Sequence, residues 1–186
     1  MRELVDDQFY KILHKKYKEL LLDFVLLQFD GTYLKEISHK EAVIEAISVF
    51  NSRLRVGNSL KHQKFYVEED KMKCKKSSIE ELLLDDIDDR IKTFETTGYR
   101  ETPIEMSYWQ AFSEPPYNTN YTKEDFRKLN YLLFPIPFRM DLEVYRWNDE
   151  FSNYFDDGKE WWGTGFWSIY DKNINRFVII GASLTD

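Results

Sequence analysis

Phe138-Arg139-Met140-Asp141-Leu142-Glu143-Val144-Tyr145 marks the point where hydrophobic spacing along this chain changes. Up to Pro137 apolar residues recur at about 3.6 residues, the period of a helix face; from Phe138 they alternate at about 2, the period of a half-buried strand. Downstream, Trp161–Tyr170 and Arg176-Phe177-Val178-Ile179-Ile180-Gly181-Ala182-Ser183 read as two further strands. Asp171-Lys172-Asn173-Ile174-Asn175 supplies the hairpin turn between them. Helices first and strands last make the expected class α+β, with N-terminal helices packed on a C-terminal antiparallel β-meander covered on one face. The reading is one domain over 1–186, helical in 1–135 and β-rich in 136–186.

Upstream, caps and periodicity mark five helices. Val5, Phe9, Ile12, Leu13, Tyr17, Leu20, Leu21 and Phe24 form one apolar face, ended by Asp30-Gly31. Ser38-His39-Lys40-Glu41 has the form of a capping box, followed by Val43, Ala46, Ile47, Phe50 and Leu54. Ser78-Ile79-Glu80-Glu81, Thr102-Pro103-Ile104-Glu105 and Thr122-Lys123-Glu124-Asp125 open three more in the same way. Lys64–Glu68 is a candidate short strand, and the lysine-rich stretch 69–76 a candidate mobile connection.

Composition restricts the function classes. In 186 residues, 42% are hydrophobic and 17% aromatic, enough for a core and contrary to the signature of disorder. With 33 acidic against 26 basic side chains, the net charge of −7 opposes phosphate backbones, so no nucleic-acid partner is expected. The charged start Met1-Arg2-Glu3-Leu4-Val5-Asp6-Asp7 lacks an apolar signal stretch, and the run Leu20–Phe29 is too short to span a bilayer. A cytoplasmic protein without a membrane partner is expected.

Chemistry-bearing motifs are sparse. Asp171, Asn173 and Asn175 open like a calcium loop, but Arg176 replaces the required glycine and Ala182 the closing glutamate. Gly158-Lys159-Glu160 cannot be a phosphate loop, and Gly163-Thr164-Gly165 reads as a bulge or close backbone approach in a strand. His14, His39 and His62 lack ligand spacing and are expected to be exposed. Cys74 is the sole cysteine; its lysine neighbours could lower its pKa, but no base accompanies it. No metal and no cofactor are expected. Asp85, Asp86, Asp88 and Asp89 read as a solvated acidic helix face.

The remaining candidate site is Tyr154, Asp156, Asp157, Glu160 and Trp161, where carboxylates sit among aromatics. Such a loop can present anchors and charges to a basic protein. It can also furnish the paired acids of a glycosidase-like hydrolase. A third alternative is a structural or regulatory protein whose aromatics are simply core.

A resemblance favours the first. Glu160-Trp161-Trp162-Gly163-Thr164, Trp167-Ser168-Ile169-Tyr170-Asp171 and Phe177-Val178-Ile179-Ile180-Gly181-Ala182-Ser183 resemble the C-terminal end of small uncharacterised bacterial proteins. Met106-Ser107-Tyr108-Trp109-Gln110-Ala111-Phe112 with Glu114-Pro115-Pro116-Tyr117 is similar in kind. These resemble the acidic cytosolic immunity partners of secreted polymorphic toxins. The resemblance implies a protein-binding module that blocks a basic toxin domain, and it assigns no catalytic residues.

Overall fold

In the computed structural model, which describes residues 1–54, 64–83, 106–114, 121–160 and 163–184, a six-stranded antiparallel sheet runs through the molecule in the order β1-β2-β6-β5-β4-β3. The strands are β1 (Arg2–Glu3), β2 (Asp23–Gln28), β3 (Cys74–Ser77), β4 (Leu142–Trp147), β5 (Gly163–Asp171) and β6 (Arg176–Leu184). Six α-helices are described: α1 (Gln8–Lys16), α2 (Glu36–Arg53), α3 (Ile79–Leu82), α4 (Tyr108–Ser113), α5 (Lys123–Leu133) and α6 (Asp156–Glu160). The class is α+β, and β4-β5-β6 is the meander that the change of period announces.

The stretch expected as one long first helix divides. Asp7 caps α1 by accepting the Phe9 N–H at 2.8 Å, and α1 ends at Lys16. Phe24-Val25-Leu26-Leu27 then form an inner strand, β2, between β1 and β6, with all four side chains buried. A strand covered on both faces is apolar at consecutive positions, so its short run mimics the end of a helix.

Both faces of the sheet are covered, contrary to the one-sided expectation. Phe24, Leu26, Val144, Trp167, Ile169, Val178 and Ile180 pack with Phe9, Tyr108, Phe112, Phe126 and Leu129 from α1, α4 and α5. Val25, Leu27, Tyr145, Phe166, Tyr170, Phe177 and Ile179 pack with Val43, Ala46, Ile47 and Phe50 of α2. Along β5, Trp167 and Ile169 thus enter one core, while Phe166 and Tyr170 enter the other. The Trp167 indole lies over Gly165, where a Cβ would stand 2.2 Å from the ring, so the close approach read from Gly163-Thr164-Gly165 occurs there.

Several boundaries differ from the sequence reading. Ser38 sits inside the first turn of α2 and accepts the Leu34 N–H at 2.9 Å, while Lys35 takes the N-cap position at φ 52°. Ser78 and Thr122 do form capping boxes, with Glu81 and Asp125. Residues 136–141 form a 3-10 turn, so β4 begins at Leu142 and Met140 is exposed. Lys64–Glu68 is not a strand; the lysine-rich segment supplies one instead, β3, pairing Cys74–Ser77 with Trp147–Val144. Lysines on an edge strand discourage further pairing, which is why this strand resembles a solvated connection. Asp85, Asp86, Asp88, Asp89, Thr102 and His62 lie outside the described residues.

Candidate functional site

Residues 148–160 leave β4 and return against the sheet, held by backbone and side-chain bonds at both ends. Lys73 N–H donates to Asn148 Oδ1 at 2.8 Å, and Asn148 N–H returns to Lys73 O at 3.0 Å. Glu68 N–H meets Phe151 O at 2.8 Å. Ser152 then caps a 3-10 turn, Asn153–Phe155, that runs straight into α6. Phe151 and Phe155 are fully buried, and the Gly158 N–H reaches Ser183 Oγ at 3.2 Å. Asp156, Asp157 and Glu160 therefore stand exposed on a short helix whose underside is fastened to β6.

Tyr154 does not join them at the surface. It is 6% exposed, stacked on Phe50 at 5.2 Å, and its hydroxyl donates to Asp23 Oδ2 at 2.8 Å. Burial, then the neighbouring Asp23 carboxylate, raises its pKa well above the ordinary phenol value. This residue belongs to the α2-side core together with Phe151 and Phe155. Trp161 lies outside the described residues.

His39 corrects a second expectation. It is fully buried, and it forms the middle of a chain of polar groups between α2 and the sheet. The Trp147 indole N–H donates to Ser168 Oγ at 2.8 Å, and Ser168 Oγ lies 2.7 Å from His39 Nδ1. His39 Nε2 is 3.0 Å from the Tyr33 hydroxyl. An indole can only donate, so Ser168 Oγ accepts from Trp147. Burial, then the charge of Lys76, lowers the His39 pKa to about 3 and keeps the ring neutral. Burial and then the Glu143 carboxylate push the Tyr33 hydroxyl up. Serine and histidine at this distance resemble a nucleophile and its base, but Ser168 is 0% exposed and cannot meet a substrate.

The lysines flanking Cys74 do not lower its pKa. Its thiol is pushed up to about 12, first by burial and then by the Glu36 carboxylate. Asp171 Oδ1 accepts the Asn173 N–H at 2.9 Å and shapes the β5–β6 hairpin, with Asn175 at φ 48°. Among the described residues no three His, Cys, Asp or Glu side chains converge as metal ligands. None of the described helices is long and apolar enough to cross a membrane.

Among the described residues, two clefts flank α1. One, of about 550 Å³, runs beside the outer edge of β2 and is lined by residues including Tyr10, Lys11, Lys18 and Arg53. The other, about 470 Å³, lies between α1 and α5 against the exposed Tyr131. Asp156, Asp157 and Glu160 line neither. No protein-family model matches this chain. A search of curated proteins likewise finds no match.

Proposed function

We propose that this chain is an acidic cytoplasmic protein-binding module that acts as an immunity-type inhibitor of a bacterial toxin domain. The observation that supports it is the exposed placement of Asp156, Asp157 and Glu160 on α6, a helix whose underside is fastened to the core through Phe155 and Gly158. A charged surface on a fixed support meets a partner without first being ordered, which lowers the entropic cost of association. The net charge of −7 draws a basic partner from a distance, and the α6 carboxylates set the approach. Tyr154 contributes by holding the segment in place.

The hydrolase alternative needs two carboxyls facing each other across a cleft, about 5–9 Å apart. Three exposed acids on one short helix offer a charged surface instead.

The test begins with the neighbouring genes. A secreted protein with a variable C-terminal toxin domain should be encoded beside this chain, and co-expression should protect cells from that domain. Reversing Asp156, Asp157 and Glu160 to lysine should slow association with the toxin domain by about tenfold and flatten its salt dependence. The melting temperature should stay unchanged. Equal association rates for the two forms, or an orphan gene that protects against nothing, would remove the proposal.

A further inference from the structure

The outer edge of β2 is closed by side chains where a neighbouring strand would otherwise continue. β1 pairs only Arg2 with Gln28 and Glu3 with Leu27, after which Leu4 N–H donates to Leu26 O at 2.9 Å and the chain turns into α1. The next edge groups are taken over from a distance. Leu26 N–H donates to the Tyr10 hydroxyl at 2.9 Å, and Arg53 Nη1 donates to Phe24 O at 2.8 Å. Arg53 Nη2 in turn donates to the Glu3 carboxylate and to the Tyr10 hydroxyl at 3.2 Å. Because these groups are already bonded, the edge offers little to an incoming strand, and the space beside it stays open as the cleft of about 550 Å³.

That volume lies within the range of about 300–1,000 Å³ typical of small-molecule sites. Its apolar wall includes Leu13, Tyr17 and Leu22. Its charge is opposite in sign to that of the chain: Lys11, Lys18 and Arg53 face only two carboxylates, Glu3 and Asp23. Both carboxylates are engaged, Glu3 by Arg53 and Asp23 by the Tyr154 hydroxyl. Among the described residues no carboxylate lies within ion-pair distance of Lys11 or Lys18. The His14 ring, one turn after Lys11, stacks on Tyr10 and extends the aromatic wall.

We propose that this cleft binds an amphipathic carboxylate, a small molecule with an apolar body against Leu13 and Tyr17 and an anionic head between Lys11 and Lys18. The site is separate from α6, so it stands or falls independently of the partner-binding role.

The test is an amide-resolved NMR titration of the intact chain with 2-naphthoate, with uncharged 2-naphthamide and cationic 2-naphthylmethylammonium as matched probes. Naphthoate should shift the amides of Tyr10, Lys11, His14 and Phe24 saturably, and naphthamide should bind at least about tenfold more weakly. Lys11→Glu combined with Lys18→Glu, both exposed positions, should abolish the naphthoate shifts while leaving the melting temperature unchanged. Equal binding of all three probes, shifts that map elsewhere, or full naphthoate binding by the double variant would each overturn the site.

Discussion

The two faces of the sheet are both aromatic, but they treat buried polar atoms differently. On the α2 side, Trp147, Ser168, His39 and Tyr33 pass hydrogen bonds along a single chain. On the opposite side, the Trp109 indole N–H is buried without a hydrogen-bond partner among the described residues, and the fully buried Tyr108 hydroxyl has only a marginal contact with the Asn130 side chain. That side is held by ring packing: Phe126 contacts Tyr108 at 4.9 Å and Trp109 at 5.1 Å between centroids. A satisfied polar chain fixes one relative placement of helix and sheet, because each donor has one acceptor. Ring packing is more tolerant of small shifts, and a hydroxyl in marginal contact with a single amide contributes little there.

The largest effect tests whether both faces are core. Phe166→Ala and Trp167→Ala are neighbours on β5 that enter opposite cores, and each should cost roughly 3–5 kcal/mol in urea unfolding. A near-neutral result for either would show that its face is not sealed. Next, Ser168→Ala strands both the Trp147 N–H and His39 Nδ1, and should cost about 2–4 kcal/mol. Tyr108→Phe on the other face should stay within about 0.5 kcal/mol of the parent. Similar values for these two variants would erase the contrast between the faces.

The same chain makes a pH signature. His39 is neutral in the fold with a pKa near 3, below its ordinary value near 6.5, so the unfolded state binds the extra proton between these limits. Stability is therefore full above about pH 6.5 and falls as pH drops toward 3. Between pH 7 and 5 the loss from His39 should be about 2 kcal/mol, and His39→Gln should remove that part of the slope. An unchanged slope in the variant would mean another group carries the acid sensitivity. A smaller effect than that of His39 is expected for Thr122→Ala, which deletes the capping box of α5 and should cost about 1 kcal/mol by the same measurement.

What was legible in the sequence was local. The β5–β6 hairpin and the capping boxes at Ser78 and Thr122 rest on residues a few positions apart, so their spacing carries the geometry. β2 was hidden because a four-residue apolar run suits a strand or a helix end equally, and only its pairing with β6 decides. β3 was hidden by its lysines, which belong on an edge. His39 could not be placed because its partner Ser168 is far away in sequence, and no spacing rule connects a helix start to a central strand. At the candidate site, the sequence showed acids among aromatics; which point outward depends on the turn at 153–155, and there Tyr154 turns into the core.

The pairing of β2 with β6 sets Phe24 opposite Ile180 and Leu27 opposite Phe177. During synthesis β2 leaves the ribosome long before the strand it needs. At typical elongation rates, on the order of 5–20 residues per second, Val25, Leu26 and Leu27 wait several seconds with one edge unmatched. Closing so long a loop is also slow for a chain released from denaturant. The nascent chain is thus exposed to mispairing during that interval, with only β1, Tyr10 and Arg53 available to occupy the opposite edge.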